Sequence, residues 1–507
     1  MVYGALIKKG LELSTRVPRM QYSPIQLQRK ELKKLLLKAS ATQFGRHYQF
    51  NDILNARSFM YAFRDSIPMF NYNSMYESWW RKCQEEQEDV CWPGKVKYFA
   101  LSSGTSDSAS KHIPVTHDMV KSLKRASIKQ ILTLSKYNFP ASFFEKGILW
   151  LGGSTDLKKH GGYYEGDVSG ISAKRVPIWF RKFYKPGKKI SKQHDWNAKL
   201  EQMTLEAKNW DIGIITGVPA WVQLLIERVM DYYQLKSIHE IWPNLQVYVH
   251  GGVSFEPYKK SFEKFFSKPI SYIELYPASE GFIAFQAEPG VNHMKLVLDN
   301  GMFFEFVPFD ENNFDDNGEL RPGAQSCFIN EVEEGKDYAI LLSTCAGAWR
   351  YLIGDTIKFV NKDQATIVIS GRTKHYLSLT GEHLSVDNMN KAIEKVCQQW
   401  NIAIGEFAVA GIPHEGHFAH QWYIGTHHRV NIAKIKESLD EYLKSLNDDY
   451  AVERVSALKE VFVEVLPPEL FYKFLEHKGK SGGQHKFPRV LKAALLKEWK
   501  EFLLKQQ

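Results

Sequence analysis

Between residues 212 and 276 short apolar runs alternate with turn signals and longer helical patterns. This rhythm limits the fold more than any other feature of the chain. Residues 212–216 form a short apolar run, Gly217-Val218-Pro219 a turn and 221–233 a helical pattern. The order repeats with 245–250, Gly251-Gly252 and 257–266, and a further apolar run follows at 270–276. Short apolar runs bounded by glycine and proline read as buried strands. Strands that alternate with helices pack as an α/β sheet covered on its faces. In such sheets ligands bind at loops past the carboxyl ends of the strands. Residues 96–101 and 147–151 are predicted to be further buried strands of the same kind.

Helices flank this region. Ser23-Pro24 reads as an N-cap with proline at the first helical position, followed by Ile25, Leu32, Leu35, Leu36 and Ala39 on a helical period. Trp196, Leu200, Met203, Ala207 and Trp210 fall on one face of a helix predicted over 194–210 and read as core.

After residue 300 the pattern changes. Strands are predicted at 302–307, 339–343, 356–360 and 365–369 with no long helices between them, which reads as a meander or partial barrel. Beyond Gly371 a smaller α+β pattern begins, with helices near 384–399, 431–446 and 490–504. A chain of 507 residues exceeds one ordinary core. The boundary is placed at Ser370–Thr373. This gives a large α/β domain, 1–371, with a meander or barrel subdomain, and a small mobile α+β domain, 372–507.

Composition excludes several classes. Hydrophobic residues make up 44% and charged residues 24%, which is ordinary for a folded chain. No apolar run approaches the roughly 18 residues of a membrane span, and the first ten residues lack a secretory signal. Cys83, Cys91, Cys327, Cys345 and Cys397 are scattered and odd in number, which fits a cytoplasmic setting. The net charge of +9, concentrated near Lys478, Lys480, Lys486 and Arg489, reads as a solvated basic face that permits an anionic ligand. Basic and aromatic residues are not clustered on one element, so no nucleic-acid partner is expected. Nothing in the sequence speaks to oligomeric state.

Five segments carry possible chemistry. Ser102, Ser103, Gly104, Thr105 and Ser106, with Lys111 following, come directly after a predicted strand. Such a loop can wrap backbone N–H groups around a polyphosphate, or be a surface loop. In Tyr276-Pro277-Ala278-Ser279-Glu280-Gly281, Glu280 suits a hard oxygen ligand for Mg²⁺ and Tyr276 offers an aromatic face for a purine. The alternatives are a helix cap and a core tyrosine. Asp355, after Gly354, can accept from ribose hydroxyls or hold a β-turn. Gly371-Arg372-Thr373-Lys374 is a hinge or a linker. Gly482 to Arg489 can present Lys486 to a phosphate, or be a basic turn.

Together the SSGTS, YPASEG, WRYLIGD, GRTK and QHKFPR segments resemble the adenylate-forming superfamily. Within it the chain is most similar to the auxin-responsive promoter family of acyl-acid amido synthetases, in particular their bacterial-type members. Val218-Pro219-Ala220-Trp221, His250-Gly251-Gly252-Val253 and residues 371–387 extend the resemblance over nearly the whole chain. The resemblance implies an ATP- and Mg²⁺-dependent ligase. It would adenylate a small carboxylic acid and pass the acyl group to an amine, an amino acid among others. It implies that Ser102 to Ser106 and Lys111 hold phosphates and that Tyr276, Gly251 and Gly252 border adenine. Ser279 would belong to the same nucleotide site. Glu280 would bind the metal, Asp355 the ribose, and Arg372 would lie at the hinge. Lys486 would meet the α-phosphate when the small domain closes. Trp150, Gly152, Val218, Trp221 and Val253 are candidates for the acyl pocket and read equally well as core. Asp107-Ser108-Ala109-Ser110 replaces the glycine-rich continuation of the phosphate loop and would stiffen it. A thiol acceptor, as in an acyl-CoA or carrier-protein ligase, and a non-catalytic nucleotide or acid sensor stay open.

Overall fold

The computed structural model describes residues 2–16, 22–103, 110–173, 181–252, 255, 258–315, 318–373, 376–382, 384–478 and 487–506. Two compact units divide the chain. One comprises Met1–Ser102 and Lys111–Thr373, the other Lys374–Gln507 with Ser103–Ser110. No helix among the described residues is long and apolar enough to cross a membrane.

Among the described residues fifteen strands belong to the first region: β1 (Tyr98–Ser103), β2 (Ser110–Val115), β3 (Gly147–Trp150), β4 (Lys158–His160), β5 (Tyr163–Gly166), β6 (Tyr184–Lys185), β7 (Ile212–Thr216), β8 (Val247–Gly251), β9 (Ser271–Ala278), β10 (Gly281–Phe285), β11 (Met294–Leu296), β12 (Met302–Pro308), β13 (Asp337–Thr344), β14 (Tyr351–Asn361) and β15 (Thr366–Arg372). A small sheet runs β2-β1-β5-β4, and eleven strands form one sheet in the order β12-β13-β14-β15-β11-β10-β9-β8-β7-β3-β6.

The half from β9 to β6 is parallel. Its strands are apolar because both faces are covered. Val247, Val249 and Ile273 pack on Leu134, Phe139 and Phe143. On the opposite face of β8, Tyr248 stacks on Phe262 at 5.0 Å between ring centroids. The helix Pro219–Tyr233, opened by proline at its first turn, joins β7 to β8. The predicted helix at 257–266 is shorter in the structure, Lys259–Glu263.

The other half is the expected meander. The strands β12 to β15 pair antiparallel in sequence, and β15 continues through β11 and β10 into β9. Four strand spacings of about 4.8 Å separate β9 from β14 in this order, about 19 Å if the sheet were flat. Yet the Tyr276 hydroxyl on β9 donates to Asp355 Oδ2 on β14 at 2.6 Å. The sheet therefore curls on itself here, as a partial barrel does. One core fills the curl, built from Tyr276, Ile283, Met302, Phe304, Ile340 and Phe359 among others. A second core packs Trp349 and Trp80 with the N-terminal helices, including Pro24–Ala39 with its Ser23–Gln26 capping box.

In the second unit β16 (Tyr376–Leu377) pairs with β17 (Leu384–Ser385), and β18 (Glu406–His414), β19 (His417–Gly425) and β20 (Leu458–Leu466) form a three-stranded sheet. Helices Val386–Trp400, Ile432–Leu446 and Ala493–Leu504 accompany it. Glu382 and His420 are buried together, with His420 Nε2 3.0 Å from Glu382 Oε1. The carboxylate also accepts from the N–H groups of Leu379, Thr380 and Gly381 and from the Thr380 hydroxyl, at 2.8–3.1 Å. Burial alone would push this carboxyl up. The His420 contact and the backbone donors outweigh it and hold the group down at about 2. A depressed carboxyl stabilises the fold above its ordinary 4.5, and that stability is lost as pH falls from there toward about 2. Glu382→Gln should therefore lower unfolding free energy by about 3–5 kcal/mol at neutral pH. The gap from wild type should close as denaturation is repeated at pH values below 4.5. A gap that does not change with pH would separate the loss from this carboxylate's charge.

Candidate functional site

The carboxyl ends of the parallel strands lie level. Trp150 pairs with Thr216, Thr216 with Val249, and Gly251 with Leu275. A β-carbon on Gly251 would sit 2.4 Å from the Leu275 carbonyl oxygen, so only glycine allows this approach. Gly252 follows at φ +87°, with Val218 against it. Farther along the same edge Trp221, in the first turn of its helix, meets Trp196 at 4.6 Å between ring centroids. Gly152 lies just past β3, packed so closely that a β-carbon there would meet Ser169 Oγ at 2.8 Å.

Polar groups gather beside this edge. A two-residue turn, Ser279-Glu280, joins β9 to β10, with Ala278 paired to Gly281. Asp355 lies within β14, because that strand begins at Tyr351 and not at residue 356 as predicted. Its ladder partner on β15 is Arg372. Arg372 Nε donates to Asp355 Oδ1 at 2.7 Å while Tyr276 holds Oδ2. Burial, and then the Asp355 charge, push the Tyr276 phenol well above its usual value, so it stays protonated and donates. The Tyr276 ring packs in the core and is only 5% exposed. The ring is thus largely closed to solvent, and the hydroxyl is spent on Asp355.

Glu280 is half-buried. Desolvation pushes its carboxyl up and the Asp355 charge adds to this, while Lys111 and Arg372 pull it down. Glu280, Asp355, Lys111 and Arg372 thus form one electrostatic group. Lys111 also lies over the Tyr72 ring, 5.4 Å from its centroid. Ser102 and Ser103 end β1. Gly104, Thr105, Ser106, Val253 and Lys486 lie outside the described residues. No group of three or more His, Cys, Asp or Glu side chains arranged to hold a metal occurs among the described residues.

Sequence reasoning missed the clamp beneath this site. Arg350 has φ +43°, a conformation that costs a non-glycine residue about 1–3 kcal/mol. Its guanidinium bonds buried Glu305 at 3.0 Å, the Ser326 hydroxyl at 2.8 Å and the carbonyl oxygens of Arg64 and Ile67. The one signal was a glutamate inside the apolar run of β12.

The comparisons with known proteins agree with this architecture. The GH3 family N-terminal domain matches residues 15–207, its central domain 295–369 and its C-terminal domain 387–494. The chain belongs to the GH3 family. A jasmonoyl–L-amino acid synthetase of Nicotiana attenuata is 27% identical over 283 residues, 52% of this chain and 47% of that protein. An indole-3-acetic acid-amido synthetase of Arabidopsis thaliana is 20% identical over 463 residues, 78% of this chain and 82% of that one. The chain thus spans about half the length of the first of these GH3 relatives. Among solved structures, a GH3.15 acyl acid amido synthetase superposes with a TM-score of 0.60 at 16% identity, over 97% of this chain and 96% of that one. A 2-hydroxyisobutyryl-CoA ligase gives 0.56 at 11%, over 94% and 91%. At these identities the likeness shows the fold, which the chain shares with both of these ligases.

Replacing Arg350 with Met should leave Glu305 charged and unpaired in the core and cost about 3–5 kcal/mol of stability. Urea denaturation measures it. A loss under about 1 kcal/mol, the scale of an exposed pair, would mean that Arg350 is not the clamp of this segment.

Proposed function

We propose that the chain is an ATP-dependent, AMP-forming ligase that joins a carboxylic acid to an amine, with an amino acid as acceptor, and works in the cytoplasm. The observation that carries this is the Asp355–Arg372 pair, whose charges, with that of Lys111, bear on Glu280 in a GH3 fold. The names of GH3 relatives that join acids to amino acids support it.

In the first step a carboxylate oxygen of the acid attacks the α-phosphorus of ATP, and the bond to pyrophosphate breaks. The carboxylate is already a nucleophile, so no base is needed, and catalysis is positioning and charge neutralisation. Asp355 spends one lone pair on each donor it holds and has about two more to accept the ribose hydroxyls. Gly251 and Gly252 border the adenine, with Ser279 and Tyr276 behind it. The loop 102–106 and Lys111 hold the phosphates. Acyl-pocket walls come from Trp150, Gly152, Val218, Trp221 and Val253.

Glu280 fits a Mg²⁺ site. It is a half-buried carboxylate whose charge lacks full compensation, and this ion commonly takes one or two carboxylates with phosphate oxygens. When bound, the ion would neutralise phosphate charge. Residues 372–507 act as a lid that brings Lys486 to the α-phosphate. In the second step a neutral amine attacks the acyl carbon, the bond to AMP breaks, and the proton that the nitrogen sheds passes to the departing phosphate or to water as the amide forms. Exclusion of water by the lid protects the mixed anhydride.

Screening acids by ATP–pyrophosphate exchange, then adding amino acids or CoA and weighing the product, tests the whole reading. No exchange with any acid would sink it, and a thioester product would move the chain to the thiol-acceptor class. Glu280→Gln should lower exchange about 100-fold with the fold intact, as should Lys486→Ala by loss of a transition-state donor. Normal exchange in the Lys486 variant with failed amide formation would place that lysine in the second step.

A further inference from the structure

Lys199 is a charge that this site does not use. It lies in the helix Trp196–Glu206 and is only 3% exposed. Its ammonium donates to the Gly152 carbonyl at 2.6 Å and, at 3.4 Å, to that of Gly153, both just past the carboxyl end of β3. The Trp196 ring centroid lies 5.6 Å from it. The carboxylate whose charge bears on it is Asp167, which is exposed and accepts the Ser169 N–H at 2.6 Å. No ion pair within 4.0 Å joins Asp167 to Lys199 among the described residues, and Trp221 on the neighbouring helix is uncharged.

A buried ammonium is costly unless an anion accompanies it. Two carbonyls engage two of its three N–H donors and supply no full charge. Burial accordingly brings the group down to about 8. The chain therefore keeps an under-compensated cation beside Gly152, a wall of the proposed acyl pocket. Three strand spacings, about 14 Å, separate β3 from β9, whose turn carries Glu280. A cation this far away cannot neutralise the carboxylate that attacks phosphorus, but it can meet the other end of the same molecule.

We propose that Lys199 binds the distal end of the acyl acid, and that the preferred substrate carries a second carboxylate remote from the one that is adenylated. This rests on the ligase reading above.

The test is ATP–pyrophosphate exchange by the full chain with α,ω-dicarboxylic acids and their monomethyl esters of matched length. Wild type should favour the diacid in kcat/KM by about tenfold or more, the worth of one charge-assisted hydrogen bond. Lys199→Met should bring that ratio near one, and Lys199→Arg should restore it. Any loosening of the Gly152–Gly153 loop lowers both rates alike and cancels in the ratio. In wild type the preference should fade as pH rises through about 8, because kcat/KM follows the free enzyme and the ammonium then loses its charge. That series decides the matter even if the Met variant does not fold. Equal rates for diacid and ester in wild type, or a preference untouched by Lys199→Met or by pH, would overturn the proposal. If no acid supports exchange, the ligase reading fails on its own. Calorimetric titration of the same acids then decides Lys199, where diacid binding lost in the Met variant upholds it and equal binding overturns it.

Discussion

The curl of the eleven-stranded sheet is the constraint on which the site depends. A flat sheet would hold Tyr276 and Asp355 four strands apart, and no side chain spans that distance. Short β10 and β11, of five and three residues, leave little ladder to keep this region flat. The apolar side chains of β9 to β15 then close around a common core, and Tyr276 and Asp355 meet at 2.6 Å. Asp355 thus ties the parallel half to the meander. The carboxyl-end edge of the first half and Asp355 of the second come together because the sheet rolls, not because they are near in sequence.

Two arginine–carboxylate pairs near this point have different physical roles. Arg350 and Glu305 are shut away from water, with side chains 5% and 1% exposed. In that setting the pair fixes one backbone path, at a strained φ, for the strand that carries Asp355. Arg372 and Asp355 are 31% and 17% exposed. Solvent reaches them, and so can a ligand. The buried pair makes the strand rigid, and the accessible pair presents its charge from that rigid strand.

Much of the parallel half was legible in the sequence, since strands covered on both faces must be apolar and glycine or proline marks their ends. The start of β14 was not. Gly354 has φ +90° and the ladder shifts register between Thr356 and Ile357, so Tyr351 to Asp355 lack the alternation that betrays a strand. The buried charges were equally hidden. Lys199 sits inside a helix whose apolar period reads correctly as core, and a period says nothing of which polar residue follows the apolar ones inward. Glu305 finds Arg350 and Glu382 finds His420 across long separations, which local pattern does not encode. The five motif segments were visible as resemblances, but the hydrogen bonds that make Asp355 a hub depend on tertiary closure.

The hydrogen bonding of that hub follows from its donors. Tyr276 is held protonated by burial and by Asp355 itself, so it gives a hydrogen bond and takes no proton. Arg372 remains cationic at any working pH. Both partners donate to Asp355, and each engages a different oxygen. An ionised carboxylate has about four lone-pair sites, of which two remain. Two acceptors on one rigid strand match the two hydroxyls of a vicinal diol, and the neighbouring Glu280, made costly to ionise by desolvation, gains most from a bound cation. On the proposed reading, the carboxylates that would meet sugar and metal differ in how far their charge is compensated. One is held by two donors, and the other is raised mainly by desolvation.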